Sequence, residues 1–229
     1  MPWPEGVNLA IETSNPSSAE DGCGWKPGVA LTRVVDGVST RLGAEALGGD
    51  GLMMAVDRVF RGAGVAPREV RGVAVSIGPG GFTALRTATA SAKMIAEATG
   101  AEVRGVPSAW VAARRAGRPG RFAVALAGKG DSAWVTWFDG AGREMEAGRL
   151  VDGRAFSADG LESVVADRYL PGTFAETCAR AGVEIHRPVF DAYAVLEAGE
   201  ELAAMDPVAL LPLYPREPEA VTKWRALGR

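Results

Sequence analysis

Apolar and polar positions fall into blocks along this chain, and the most informative block runs from Val73 to Gly100. Val73–Ile77 is a short, mostly apolar run, the pattern of a strand buried on both faces. Gly78-Pro79-Gly80-Gly81 interrupts it, because Pro79 lacks an N–H and glycine reaches backbone angles closed to other residues. A helix is then expected to open at Phe82 or Thr83 and to end at Gly100. At about 100° per residue, Ala84, Leu85, Ala88, Ser91, Ala92, Ile95, Ala96 and Ala98 spread over an arc of roughly 160°. Arg86, Lys93 and Glu97 take the other side. The repeat Ala84, Ala88, Ala92, Ala96 makes a smooth ridge that a second helix can approach closely. Two neighbours remain open for that arc: the helix's own sheet and sibling helix, or another subunit.

The same patterning places the other elements. Val7–Glu12 is a first strand, and Thr13–Pro27 a polar loop rich in Ser, Gly and Pro. Gly28–Val35 and Val38–Leu42 form a hairpin about Asp36-Gly37, a strong turn pair. Leu52–Ala63 is a helix whose apolar face carries Leu52, Val56, Val59, Phe60 and Ala63. Met54 falls on its polar side, either as a stray exposed residue or as an adaptable contact for a partner. Glu102–Val106 is a strand and Pro107–Arg115 a helix. Residues 7–106 thus run β-β-β-α-β-α-β, which predicts a mixed sheet with helices against it. That order is the half-unit of the actin-like ATPase class. Arg114–Arg121 is a Gly/Pro/Arg break and the expected hinge, a solvated linker with an RNA contact by its arginines as the alternative. Beyond it, Phe122–Leu126, Ala133–Phe138 and Arg143–Leu150 are expected strands. Ser157–Ala166, Phe174–Ala181 and Ala192–Ala204 are expected helices. Tyr169–Leu170 and Val183–His186 are short strand candidates. The second half is a weaker, partial copy of the first, so the division predicted is a lobe at 1–113 and a lobe with a tail at 114–229.

Composition removes several functions. A net charge of -3 leaves no broad basic footprint for nucleic acid. Cys23 and Cys178 lack metal-ligand spacing and suit a reducing compartment. There is no run of about 18 apolar residues for a membrane span, and no signal-peptide pattern, so a cytoplasmic protein is expected. The single histidine, His186, cannot by itself build a metal site or a nucleophile–base pair, so no catalytic residue and no metal ligand are assigned. Gly78–Gly81 opening a helix can present backbone N–H groups to an anion, yet no Lys-Ser or Lys-Thr follows, as a Walker loop requires. Glu12, Thr13 and Ser14 follow the first strand, where actin-like ATPases hold an acidic residue near magnesium and a phosphate-facing turn. They are therefore nucleotide-site candidates together with Gly78, Gly80 and Gly81. The alternative is a strand end whose Thr and Ser satisfy local backbone groups.

Four stretches together, LAIETS, GPGGFTALRTATASAKMIAEATG, GVPSAWVAA and LPLYPREPEAVTKW, resemble the bacterial TsaB (YeaZ) family. The resemblance is strongest over residues 7–113. Glu12 stands where the family usually has Asp, Gly81 where it has Ser, and Ala84 where it has Gly. Pro212, Leu213, Tyr214 and Arg216 match its C-terminal signature. The Thr13–Pro27 loop is longer than usual, a His common before the first helix is missing around Gly48–Asp50, and Leu126-Ala127-Gly128-Lys129 replaces the usual Asp-Ala-Arg. The resemblance implies an α/β protein of the actin-like (ASKHA, ribonuclease H-like) fold, with two related lobes and no working active site. It further implies a non-catalytic subunit in the modification of tRNA to threonylcarbamoyladenosine. Its partners would be a catalytic TsaD-like subunit, a TsaE-like ATPase, tRNA through the complex, and a second copy of itself through the same helices. It would have no cofactor of its own, with ATP or ADP only at the complex interface. Val56, Phe60, Leu85, Ala88, Ala92 and Ile95 are then the expected contact or supporting residues. The rival expectation is a small actin-like ATPase or kinase using Glu12, Thr13 and the glycine turn.

Overall fold

A computed structural model describes residues 1–15, 27–117, 120–217, 221, 224, 225 and 227. The first half contributes β1 (Gly6–Glu12), β2 (Gly28–Val35), β3 (Val38–Ala46), α1 (Leu52–Ala63), β4 (Val70–Gly78), α2 (Phe82–Thr99), β5 (Glu102–Pro107) and α3 (Ser108–Ala116). The second contributes β6 (Phe122–Lys129), β7 (Ser132–Phe138), β8 (Glu144–Asp152), β9 (Ser163–Ala166), α4 (Gly172–Ala181), β10 (Glu184–His186) and α5 (Ala192–Gly199). The strands form two sheets, ordered β3-β2-β1-β4-β5 and β8-β7-β6-β9-β10. In each, three antiparallel strands are followed by two parallel ones. One topology is therefore used twice. α4 corresponds to α2 and α5 to α3, while α1 has no counterpart.

Local sequence explains most boundaries. Asp36 and Gly37 both take positive φ, 51° and 73°, the twist that joins two right-handed strands in a two-residue hairpin. α2 starts at Phe82 and ends at Gly100, whose left-handed backbone returns its N–H to the Ala96 carbonyl. β1 alternates strongly in size. Val7, Leu9 and Ile11 face α1 and α2 on the outer side, whereas Ala10, with Ala30 and Ala74 on its neighbours, faces α3 and α5 on the inner side. Small inward residues let those two helices lie close to the sheet.

The two helices α3 and α5 sit between the sheets and share one core with both. Ala10 and Ala74 of the first sheet and Phe122, Val124 and Leu126 of the second belong to it. A third cluster covers the outer face of the second sheet, under α4 and Phe156–Leu161.

Four expectations need correction. Ser157–Ala166 is not a helix. Leu161 donates to the Ala158 carbonyl at 3.1 Å across Gly160 at φ 71°, and Ser163–Ala166 then forms a fully buried strand between β6 and β10. The paired Val164 and Val165 suit that slot better than a helix. Tyr169–Leu170 is a turn, closed by Leu170 donating to Asp167, and α5 stops at Gly199 rather than Ala204. The chain beyond α5 also leaves the second lobe. Met205 donates to Val103 of β5, Leu213 donates to Ile77 of β4, and Leu210 is buried in the first lobe's core. Residues 192–213 thus complete the first sheet's packing, although the sequence pattern assigned them to the lobe at 114–229.

Candidate functional site: a closed strand-end junction and an open helical face

The six nucleotide-site candidates converge. β1 and β4 are parallel neighbours, so Glu12–Ser14 and Gly78–Gly81 leave the sheet side by side. This is the edge where open α/β sheets hold ligands. Here the chain itself fills it. The Gly81 N–H donates to the Ser14 carbonyl at 2.7 Å. Thr13 Oγ1 donates to the Ala84 carbonyl at 3.1 Å, and Asn15 Nδ2 donates to Pro79. A β-carbon on Gly80 would run into Ser14's carbonyl oxygen, so only glycine permits this approach. At Gly78, with φ 107°, a β-carbon would lie 2.9 Å from the Leu213 carbonyl oxygen. An N–H that would cradle a phosphate is thus already spent on Ser14.

Glu12 is fully buried on the inner face of β1. Its Oε1 accepts from the Ser14 N–H at 2.7 Å and from Ser14 Oγ at 2.6 Å, while Oε2 has no hydrogen-bond partner. Burial pushes its pKa up to about 7, partly opposed by the Ser14 hydrogen bonds and assisted by the nearby Asp191 carboxylate. Among the described residues, no three His, Cys, Asp or Glu side chains come together as metal ligands. His186 lies 3.2 Å from Glu184 on the β10 edge, and Cys178 is a buried free thiol. Cys23 and most of the Thr13–Pro27 loop lie outside the described residues.

The outer layer is arranged the other way. Leu85, Ala88 and Ala92 are fully buried against the sheet. The alanine ridge is thus the sheet-facing side of α2, and these three support the helix rather than offering contacts. Val56 and Phe60 are also buried, but with Met53 and the partly buried Ile95 they line an apolar groove of about 490 Å³ between α1, α2 and the Gly64–Val70 turn. The outward surface is one that the helical pattern concealed. Met53 is 51% exposed, Met54 48%, Phe82 49% and Met94 61%. Phe82, Arg86, Ala90 and Met94 follow one another at four-residue spacing along α2. That stripe was visible in the sequence, but Arg86 within it had marked the side as polar.

Arginines of the 114–121 break and of the C-terminal segment are engaged within the chain. Arg114 pairs with Glu201, and Arg115 pairs with Asp191 and Glu197 across α3 and α5. Arg216 binds carbonyls of the second lobe, and Arg225 pairs with Glu217 at 2.7 Å. Lys223 and Arg229 lie outside the described residues.

The family model TsaD, tRNA N6-adenosine threonylcarbamoyltransferase, matches residues 49–212, which is most of the chain. The chain belongs to the TsaD family. Membership places it in a tRNA-modification family and covers α1, the glycine turn, α2 and the interlobe helices. Two solved structures from Pseudomonas aeruginosa share the fold. An uncharacterized protein with similarity to peptidase YEAZ has a TM-score of 0.67 at 18% identity, over 92% of this chain and 99% of that one. YeaZ has a TM-score of 0.65 at 19% identity, over 91% of this chain and 99% of that one. The two mixed sheets flanked by helices are thus the actin-like arrangement expected from the sequence. No curated protein sequence matches the chain. No helix among the described residues is long and apolar enough to cross a membrane.

Proposed function

We propose that this TsaD-family chain is a non-catalytic scaffold subunit of the complex that attaches threonylcarbamoyl to tRNA adenosine. It docks a catalytic, TsaD-like subunit on the outer face of α1 and α2. The observation that carries this is a contrast between two surfaces. At the strand ends, where an ATPase of this fold would cradle phosphate, Ser14 and Gly81 bond to each other. On the outer helices, Met53, Met54, Met94 and Phe82 stand in solvent beside an apolar groove. Methionine suits such a surface, being apolar, flexible and able to fit a partner's irregularities. Two helices contributed by each partner bury on the order of 1,200–2,000 Å² in all, enough for a stable complex. The same face serves for self-association when the catalytic subunit is absent. A TsaE-like ATPase and tRNA then join through the assembled complex, and any ATP or ADP sits at its interface.

The test uses Ala90→Arg and Met94→Asp on the exposed stripe of α2. Each is expected to keep the wild-type melting temperature and to abolish co-elution with the TsaD-like subunit of the same organism in size-exclusion chromatography. Co-elution that survives both changes places the interface elsewhere.

A further inference from the structure

The chain that follows α5 is held at both lobes. In the first, Met205 donates to the Val103 carbonyl at 2.9 Å, Leu213 donates to the Ile77 carbonyl at 2.7 Å, and Leu210 is buried beneath α2. Lys93 Nζ adds a bond to the Val208 carbonyl at 3.1 Å. Tyr214 stacks on Phe82 at 5.1 Å between ring centroids, with the Arg86 guanidinium 5.3 Å from the Phe82 ring. Two residues later the segment has reached the other lobe. Arg216 Nη1 donates to the Ala127 carbonyl at 2.8 Å, and Nη2 donates to the Ser132 carbonyl and hydroxyl, both at 2.8 Å. Those acceptors belong to the β6–β7 hairpin.

Chain length fixes how close these anchors are. Leu213 and Arg216 are three residues apart, so the end of β4 and the hairpin tip are spanned by about 10 Å of extended backbone. The crossing therefore lies over the strand-end edge, where Glu12, Ser14 and Gly80 meet. The shared core on α3 and α5 joins the lobes on the other side of the sheets. A packed hinge between the sheets and a tie across the strand ends are the parts of a closure.

The Arg216 anchor has the chemistry of a releasable one. Its acceptors among the described residues, the Ala127, Lys129 and Ser132 carbonyls and the Ser132 hydroxyl, are neutral oxygens. Burial pulls its pKa down, with no opposing acidic partner. The Ala127 and Ser132 carbonyls are reached from separate nitrogens of a planar guanidinium fork, a geometry that the single nitrogen of a lysine does not reproduce.

We propose that residues 205–216 form a latch between the lobes, with Arg216 as the bolt, and that its release uncovers the strand-end junction. Arg216 is a positioning residue, since it sets the distance between the hairpin and the end of β4. The Tyr214–Phe82 stack ties the latch to the outward stripe of α2. Cover on Phe82 by a partner is thereby coupled to the lobe mouth. That last link rests on the docking role proposed above; the latch does not.

Amide hydrogen exchange on the full-length free chain tests the latch without any partner. Arg216→Ala removes the bolt, and Tyr214→Ala loosens the other anchor through a ring already exposed to solvent. Coupling is reciprocal, so each change must be felt at the far end. Arg216→Ala is expected to raise exchange at least tenfold in peptides covering residues 77–82 and 205–214. Tyr214→Ala is expected to do the same in residues 127–132. Arg216→Lys should resemble Arg216→Ala. Should Arg216→Ala fail to fold, the Tyr214→Ala arm alone decides. Faster exchange confined to the mutated end, or rescue by lysine, overturns the latch and leaves Arg216 a local cap on the hairpin. Because the readout is the free chain, failure here does not touch the docking proposal, and lost docking with intact coupling does not touch the latch.

Discussion

At Glu12 one side chain combines burial, an unpaired oxygen and a raised pKa of about 7. A carboxyl whose folded pKa lies above its unfolded value near 4.5 binds more protons in the folded state between those values. Its contribution is therefore fully present below about pH 4.5, declines as pH rises towards 7 and is lost above it. The shift corresponds to roughly 3 kcal/mol. Urea unfolding of the wild type and Glu12→Gln at pH 5 and pH 8 should show it. Relative to the glutamine variant, the wild type should weaken by about that amount at the higher pH, and a constant difference would mean that Glu12 does not titrate in this range. The convergence of Glu12–Ser14 with Gly78–Gly81 was legible from the chain, because both follow strands of a βαβ-type order. That the junction is closed was not, since the partner of the Gly81 N–H is 67 residues away on Ser14.

The helix α2 shows how one apolar arc left two uses open that the structure then separates. Its small residues predicted close approach, and close approach is what occurs, but to β4 and the first core rather than to a second chain. The consequence is a sharp contrast between neighbours. Ala88 is fully buried, so Ala88→Arg forces a charge and a long side chain into packed core, which costs several kcal/mol. Ala88→Arg should be insoluble or unfolded by circular dichroism, whereas Ala90→Arg, two residues on and on the opposite side of the helix, should melt with the wild type. A folded Ala88→Arg protein would show that the ridge can leave the sheet. The helical period could not choose between sheet and subunit because both demand small residues. The methionines were the better signal, since exposed apolar side chains at Met53, Met54 and Met94 serve no core.

Across the whole molecule, α3 and α5 make the lobes one cooperative body. They pack on each other and on both sheets, with Arg115 bridging to Asp191 at 2.5 Å and to Glu197. The tail adds the return of residues 205–213 to the first sheet. Unfolding of either lobe strips the other of the shared inner core, so denaturation should be a single transition. Tryptophan fluorescence, which reports on Trp3 and Trp110 in one half and Trp134 and Trp137 in the other, should coincide with far-ultraviolet circular dichroism throughout. Two separated transitions would mean that the shared core is weaker than its burial implies.

The sequence by itself determined most of the strands, the hairpin at Asp36-Gly37, the limits of α1 and α2, the repeated lobe plan and the family. These follow from periodicity and turn chemistry within a few residues of each position, and from motifs that stay contiguous in the chain. Tertiary structure alone decided which side of α2 faces solvent, that Ser163–Ala166 is a central strand, that the tail belongs to both lobes, and that the strand-end junction is shut. Each of those depends on a contact between residues distant in sequence, and burial against a distant partner leaves no local period to read.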